Sequence, residues 1–241
     1  IFNGDPAALA VGLLGTSVSV ATRKMPAKAR SLSALVWLAK SKTSGFDLDH
    51  HNVFFSDDYE TEFRDIKLGR PPAHPTAYVC ALDRGHGAVR AGKPERLQII
   101  VNSPANGDTE NYASKERERC TMDMLARLRA CGLELEEPLP HRLVTPADFA
   151  TLFPATGGAL YGRASHGWAA SFLRPGSRTS IRGLYCAGGA THPGAGVPMA
   201  ALSGKLATQA LLSDHISTPW FHRKATAGGM STRSAMMGAS G

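Results

Sequence analysis

A glycine-rich loop between a strand pattern and a helical pattern carries the residues best suited to chemistry. The strand pattern covers residues 183–187, and the helical pattern covers residues 198–212. Gly188 and Gly189 lack side chains, so a ligand can approach the backbone closely. The first amides of a helix have no partner within it and give that end a partial positive charge. The loop therefore predicts a site for a diphosphate or for another electron-rich group.

The helix after this loop has two predicted faces. Its larger apolar residues recur at helical spacing and form one face: Met199, Leu202 and Leu206. Its small residues form a strip that we expect to pack closely on a sheet: Ala200, Gly204 and Ala207. Pro198 suits the first helical position, where its missing N–H costs nothing.

A second cluster of reactive side chains superficially resembles a metal site. It consists of Asp47, Asp49, His50 and His51. Adjacent residues of a strand point to opposite faces, so the two imidazoles are not expected to share one ion. The four cysteines have no zinc-site spacing and are predicted to be free, mostly buried thiols of a reducing compartment. We therefore predict no metal site. The sequence also contains no P-loop and no G-x-S-x-G, which argues against those NTPases and hydrolases.

The elements that position these residues follow from apolar periodicity. Strands are predicted near residues 35–38, 52–55, 77–82 and 97–101, in one antiparallel or mixed sheet. The clearest helix spans about residues 111–131, with Met124, Leu125 and Leu128 at helical spacing. Residues 1–15 predict a strand end and a short helix. Residues 213–241 are poor in large apolar side chains and predict a disordered basic tail.

The net charge of +7 is unevenly distributed. No acidic residue lies between Pro6 and Phe46, although this stretch contains Arg23, Lys24, Lys28 and Arg30. Such a segment suits lipid or nucleic acid phosphates, although a solvated surface is the simpler alternative. No nucleic-acid motif accompanies it, so no nucleic acid partner is predicted. No apolar run approaches the roughly 20 residues of a membrane-spanning helix.

Residues 183–207 as a whole resemble the C-terminal flavin-binding motif of the carotenoid (phytoene-type) desaturase family, within the amine-oxidase-like flavoproteins. Residues 2–5, 145–149 and 157–176 also resemble that family, and the resemblance covers about residues 1–212. Residues 191–196 are shared with phytoene desaturases. Residues 197–204 are more similar to the hydroxyneurosporene or methoxyneurosporene branch.

The resemblance implies FAD-dependent desaturation of an acyclic hydroxylated or methoxylated carotenoid. Phytoene desaturation and carotenoid isomerisation within the same family are the alternatives. It also implies an α/β fold, in which a Rossmann-type FAD domain is interrupted by a mixed-sheet substrate domain. Residues 1–20 and 146–212 would belong to the FAD domain, and residues 30–145 to the substrate domain. The carotenoid implies peripheral attachment at the cytoplasmic face of a membrane, with residues 23–30 as the candidate contact. The electron acceptor, oxygen or a quinone, stays open.

The resemblance also assigns site residues, without identifying a catalytic base. The cofactor loop would be lined by Gly188, Gly189, Thr191, His192 and Gly196. The isoalloxazine would lie beside Val197, Pro198 and Met199. His192 would hydrogen-bond the flavin or help proton transfer, unless it only orders the loop. His166 and Trp168 would face the substrate, with core packing as the alternative.

One expected motif is missing from the sequence. No G-x-G-x-x-G is present, although the family uses this motif to hold the FAD diphosphate. The sequence also begins with Ile1 rather than Met. We therefore expect the chain to be the C-terminal part of a longer enzyme, and to bind FAD poorly and be inactive by itself. A flavin-free carotenoid-binding or membrane-binding module is the alternative.

Overall fold

A five-stranded sheet forms the centre of the computed structural model, which describes residues 1–84, 92–165 and 173–223. Its strands are β1 (Ser33–Ser41), β3 (His51–Phe54), β4 (Ala77–Ala81), β5 (Glu95–Ser103) and β7 (His141–Val144), in the order β3-β4-β5-β1-β7. A separate two-stranded sheet pairs β2 (Thr43–Gly45) with β6 (Leu133–Leu135).

The strand pairs in the described ranges are all antiparallel, so the prediction of a mixed substrate-domain sheet is wrong. The four strands predicted for this sheet are confirmed, whereas the strand patterns at residues 1–5 and 183–187 form only isolated bridges at Phe2, Tyr185 and Cys186. The burial of β5 alternates along its length, as is typical of an antiparallel strand with one face on the core.

One face of the sheet packs against helix α3 (Ser114–Ala130), which confirms the predicted helix with a slightly later start. Met124 and Leu128 of α3 are fully buried against Trp37 and Ile99 of the sheet. The Trp37 indole donates a hydrogen bond to the Thr121 hydroxyl at 3.0 Å. Apolar burial therefore fixes the helix on the sheet, and this bond orients the indole.

Three shorter helices are present in the described residues: α1 (Pro6–Ala10), α2 (Tyr59–Lys67) and α4 (Pro146–Leu152). The predicted short helix within residues 1–15 is α1, capped by the Asp5 carboxylate on the Ala7 amide at 2.8 Å. Helix α4 begins with a capping box formed by Thr145 and Asp148. Sequence periodicity did not indicate α2 or α4, because both are short.

The last helix, α5, spans Val197–Arg223 and is longer than predicted. Residues 213–223 are therefore helical, not disordered. The reason is a tertiary anchor, since Asp214 accepts a hydrogen bond from the Tyr185 hydroxyl at 2.9 Å and pairs with Arg178 at 3.0 Å. The rest of the predicted tail, residues 224–241, lies outside the described residues. Within the described part, no helix is both long and apolar enough to cross a membrane.

A second unit contains residues 1–10, residues 185–187 and α5. Phe2 forms a parallel bridge with Cys186, in which the Phe2 amide donates to the Tyr185 carbonyl at 2.7 Å. Arg30 connects the segment before β1 to the loop after β5, because its guanidinium binds both carboxylate oxygens of Asp108 at 2.9 and 2.6 Å. The Arg30 side chain is only 12% exposed. Its predicted role in a basic lipid-binding segment is therefore wrong.

Candidate functional site

The glycine loop follows directly from the buried residues 185–187. Gly188 has φ 130°, a backbone conformation that side chains rarely adopt. Its amide donates to the Ser203 hydroxyl of α5 at 3.2 Å, and its carbonyl accepts from the Thr191 amide at 3.1 Å. The loop is therefore held in a defined turn against the start of α5.

Thr191 lies completely buried at the centre of this turn. Its hydroxyl oxygen has no hydrogen-bond partner among the described residues. A buried polar group left unpaired costs about 1–3 kcal/mol, which is why native proteins seldom retain one. The hydroxyl therefore fits a polar atom of a bound group.

Arg174 donates a hydrogen bond to the glycine loop, and sequence reasoning did not identify it. It is 8% exposed, and its guanidinium donates to the carbonyls of Tyr161, Gly189 and Arg163 at 2.8, 3.2 and 2.8 Å. Burial lowers the pKa of Arg174, while the charge of Asp5 raises it. The signal lay in residues 157–176, where the resemblance drew attention to the stretch but not to this arginine.

The remaining predicted cofactor residues form one continuous surface. His192 is exposed, and its amide donates to the Pro175 carbonyl at 2.8 Å. A side chain added at Gly196 would have a Cβ with no heavy atom within 4 Å, so open space lies beside it. Val197 is 86% exposed and Met199 40%, and Pro198 between them is also exposed. Apolar side chains at a helix start are thus available to contact a ligand.

The predicted faces of α5 are partly wrong. Leu202 and Met199 are exposed, and the buried stripe consists of Ser203, Ala207 and Ala210. Ala207 and Ala210 pack on Tyr185 and Ala187. The helix therefore packs through small residues, as expected, but on a face rotated from the predicted one.

Two clefts adjoin the loop and share Arg163 and Arg174. The larger, of about 670 Å³, is lined by five basic side chains: Arg23, Lys24, Arg163, Arg174 and Arg178. Asp5 is the acid of its lining, and burial raises the pKa of that carboxyl. The cleft therefore suits an anionic group. The smaller, of about 410 Å³, lies between Phe63 of α2 and residues 193–195.

Two predicted site residues are not placed. His166 and Trp168, predicted to face the substrate, lie outside the described residues.

The side chains of His50 and His51 lie together, contrary to the expectation that they point to opposite faces of one strand. His50 precedes β3 rather than lying within it, and the rings of His50 and His51 contact each other with centroids 4.3 Å apart.

The cysteines are free and mostly buried, as predicted. All four cysteines are free thiols, and Cys80, Cys120 and Cys186 are buried. Burial raises the pKa of the Cys120 thiol to about 11, which keeps it protonated.

Comparison with known proteins confirms the resemblance. The family described as flavin containing amine oxidoreductase matches residues 59–212. The chain is 52% identical over 240 residues to a hydroxyneurosporene desaturase of Rubrivivax gelatinosus, covering 99% of this chain and 46% of that protein. It is 46% identical over 218 residues to a hydroxyneurosporene desaturase of Cereibacter sphaeroides, covering 89% and 43%. A 1-hydroxycarotenoid 3,4-desaturase of Flavobacterium is 32% identical, covering 73% and 37%.

The chain thus spans less than half the length of these curated relatives. The matched family range contains the glycine loop, Arg174 and the start of α5. The family implies an FAD cofactor. The basic cleft fits a polar, anionic group of that kind, and so does the buried Thr191 hydroxyl, which has no partner among the described residues. The chain therefore belongs to the flavin containing amine oxidoreductase family.

Proposed function

We propose that this chain is part of an FAD-dependent desaturase that removes two hydrogens from an acyclic hydroxylated or methoxylated carotenoid, such as hydroxyneurosporene. Similarity to hydroxyneurosporene desaturases supports the substrate class. The structural observation that carries the proposal is the glycine loop itself, where the buried Thr191 hydroxyl lacks a partner among the described residues beside the exposed apolar start of α5.

The proposed domain arrangement has residues 1–20 and 146–212 in a Rossmann-type FAD domain and residues 30–145 in a substrate domain. Two separate apolar clusters support this division. One lies between the five-stranded sheet and α3, and the other lies between Tyr185, Ala187 and α5. The parallel bridge between Phe2 and Cys186 is also the pairing expected in a Rossmann-type sheet.

In the proposed reaction, FAD supplies the two-electron acceptor for a hydride from an allylic carbon. The protein binds and positions the reactants. Thr191 would offer a hydroxyl to a polar flavin atom, and Arg163 and Arg178 would add positive charge in the cleft beside the glycine loop. Val197 and Met199 present apolar surface that excludes water beside the ring. We assign no base, because the polyene spreads the positive charge that develops during hydride loss.

An apolar stripe on the outer face of the sheet supports a long apolar substrate. Strand register aligns Val36 with Ile100, Ile100 with Tyr78, and Tyr78 with Val53. Val53 is 48% exposed, and Leu38 on the same face is 44% exposed. Directly paired residues point to the same side of a sheet, so these side chains form a row across four strands.

We also propose peripheral attachment at the cytoplasmic face of a membrane, because the carotenoid partitions into lipid. Three exposed basic residues support a contact with anionic headgroups: Arg23, Lys24 and Lys28.

The test uses the gene product extended to the full length of the relatives, incubated with hydroxyneurosporene and with oxygen or a quinone. We expect bound flavin and a carotenoid that absorbs at longer wavelength and has lost two hydrogens, measured by chromatography with mass detection. Turnover of phytoene alone would overturn the substrate assignment. An extended protein that binds the carotenoid without flavin or turnover would overturn the enzymatic function. The 241-residue chain is the comparison, with little FAD retained.

A further inference from the structure

Two histidines and a cysteine meet at the β3 edge of the five-stranded sheet. Strand register pairs His51 of β3 directly with Cys80 of β4, so both side chains lie on the same face. His50 adjoins them from the turn before β3. One ligand atom from each of the three residues lies within 4.8 Å of the others.

The distances and the orientations are those of a cation site. The Cys80 sulfur lies 3.7 Å from Nε2 of His50. Zinc–sulfur and zinc–nitrogen bonds of about 2.3 and 2.0–2.1 Å at a tetrahedral angle require a separation of about 3.6 Å. This pair therefore already has the spacing of two zinc ligands.

Each imidazole is also oriented by a hydrogen bond at its Nδ1. Nδ1 of His50 lies 3.0 Å from the Ala81 carbonyl oxygen. A carbonyl only accepts, so Nδ1 carries the proton and Nε2 of the neutral ring has a free lone pair. Nδ1 of His51 is hydrogen-bonded to the Tyr78 hydroxyl at 2.7 Å. Histidine ligands in metal sites are typically fixed by such outer partners.

We propose that His50, His51 and Cys80 bind a thiophilic divalent cation, with Zn²⁺ as the preferred ion. A thiolate with two imidazoles is a ligand set that Zn²⁺ favours. Binding converts the Cys80 thiol to a thiolate and releases its proton to solvent. His51 is exposed, so its ring can close onto the ion, and the fourth position is open to water. The ion would join the turn before β3 to β4 and stabilise the edge of the sheet. The site does not depend on the proposed flavin chemistry, and none of the three residues lines either cleft at the glycine loop.

The experiment is a Co²⁺ titration of the chelator-treated 241-residue chain, followed by displacement with Zn²⁺. We expect one Co²⁺ per chain, a near-ultraviolet thiolate-to-cobalt charge-transfer band and the strong visible bands of four-coordinate cobalt. Cys80→Ser should abolish the charge-transfer band. His50→Ala and His51→Ala should each weaken binding at least about 10-fold, and Tyr78→Phe should weaken it about 10-fold through the lost outer partner.

Matched controls separate the site from adventitious binding and from misfolding. Cys131→Ser and His141→Ala remove the same side-chain types elsewhere and should leave the titration unchanged. Zn²⁺ should raise the melting temperature of the wild-type chain but not that of His51→Ala, whose exposed position keeps the metal-free fold intact. Weak six-coordinate bands without charge transfer, or equal binding by Cys80→Ser, would overturn the proposal. So would an equal Zn²⁺-dependent rise in the melting temperature of His51→Ala.

Discussion

Two buried threonines, Thr156 and Thr191, differ in their hydrogen bonding. The Thr156 hydroxyl donates to the Phe153 carbonyl at 2.6 Å and accepts from the Gly158 amide at 3.0 Å. The Thr191 hydroxyl is equally buried but unpaired within the described ranges. Satisfied hydroxyls stabilise a fold modestly, whereas unsatisfied ones destabilise it. We therefore infer that the Thr191 hydroxyl serves to bind a ligand, although it lowers the stability of the flavin-free chain.

Replacing Thr191 with valine should raise the free energy of unfolding of the flavin-free chain by about 1 kcal/mol, because a hydroxyl without a partner is removed. The control Thr156→Val should lower it by about 1–2 kcal/mol. Urea unfolding measures both changes. In the extended protein, Thr191→Val should weaken FAD binding about 10-fold, the value of one lost hydrogen bond. A loss of stability equal to that of Thr156→Val would show that the Thr191 hydroxyl has an internal partner.

At the scale of elements, a buried ion pair connects β2 and β5 to the turn that follows β4. Glu95, which begins β5, is 2% exposed and binds the Arg84 guanidinium through both oxygens at 2.8 Å. It also accepts from the Thr43 hydroxyl of β2 at 2.6 Å. The hydrogen bond from Arg84 is the main reason that the pKa of Glu95 lies below its ordinary value of 4.5. The small sheet is thus attached to the large one by a desolvated charge pair.

Replacing Arg84 with methionine should destabilise the chain by about 2–3 kcal/mol at neutral pH, because a buried carboxylate loses its counter-ion. In the wild-type chain, the pair stabilises the folded state at pH values above the unfolded-state pKa of Glu95. This stabilisation is lost as the pH falls through the lower folded-state pKa. In the variant, burial raises the Glu95 pKa instead, so acid favours its folded state. The difference in the free energy of unfolding between wild type and Arg84→Met should therefore become smaller from pH 7 to about pH 4.

Urea unfolding at both pH values checks the Arg84 prediction. The control is Arg96→Met, which removes an arginine from a largely exposed pair with Asp83 and should leave stability nearly unchanged. A difference between Arg84→Met and wild type that stays constant across this pH range would contradict a role for the Glu95 charge.

At the scale of the whole molecule, the basic residues between positions 23 and 30 differ in exposure. Arg30 is bound to Asp108 and connects the segment before β1 to the loop after β5. The hydrogen bonds from Arg30 lower the pKa of the Asp108 carboxyl, so this carboxylate remains charged near neutral pH. Arg23 and Lys24 are exposed at the rim of the larger cleft, and Lys28 is exposed nearby along the chain. Within residues 23–30, Arg23, Lys24 and Lys28 are thus the basic residues with exposed side chains.

Changing Arg23, Lys24 and Lys28 together to glutamine should weaken binding to anionic vesicles about 10- to 100-fold, since each basic residue near such a surface contributes up to about 1 kcal/mol. Cosedimentation with vesicles of phosphatidylserine and phosphatidylcholine measures the change. The control triple variant changes three exposed lysines elsewhere to glutamine: Lys40, Lys67 and Lys115. An equal loss in both variants would indicate net charge rather than a defined contact.

The sequence by itself determined the local elements and the family. Periodicity was sufficient for α3 and for the long strands, because their buried faces repeat over many residues. The glycine loop and the start of α5 were recognisable because turn and helix-start chemistry is local. These features need only neighbours along the chain.

Only the tertiary structure decided which distant residues meet. It placed Arg174 beneath the loop, extended α5 through the contact of Asp214 with Tyr185, and set the strands antiparallel. It also brought Cys80 to His50, 30 residues away along the chain. Such contacts depend on strand register and on the rotation of a helix about its axis. Apolar burial across many residues fixes both, and local sequence spacing does not reveal them.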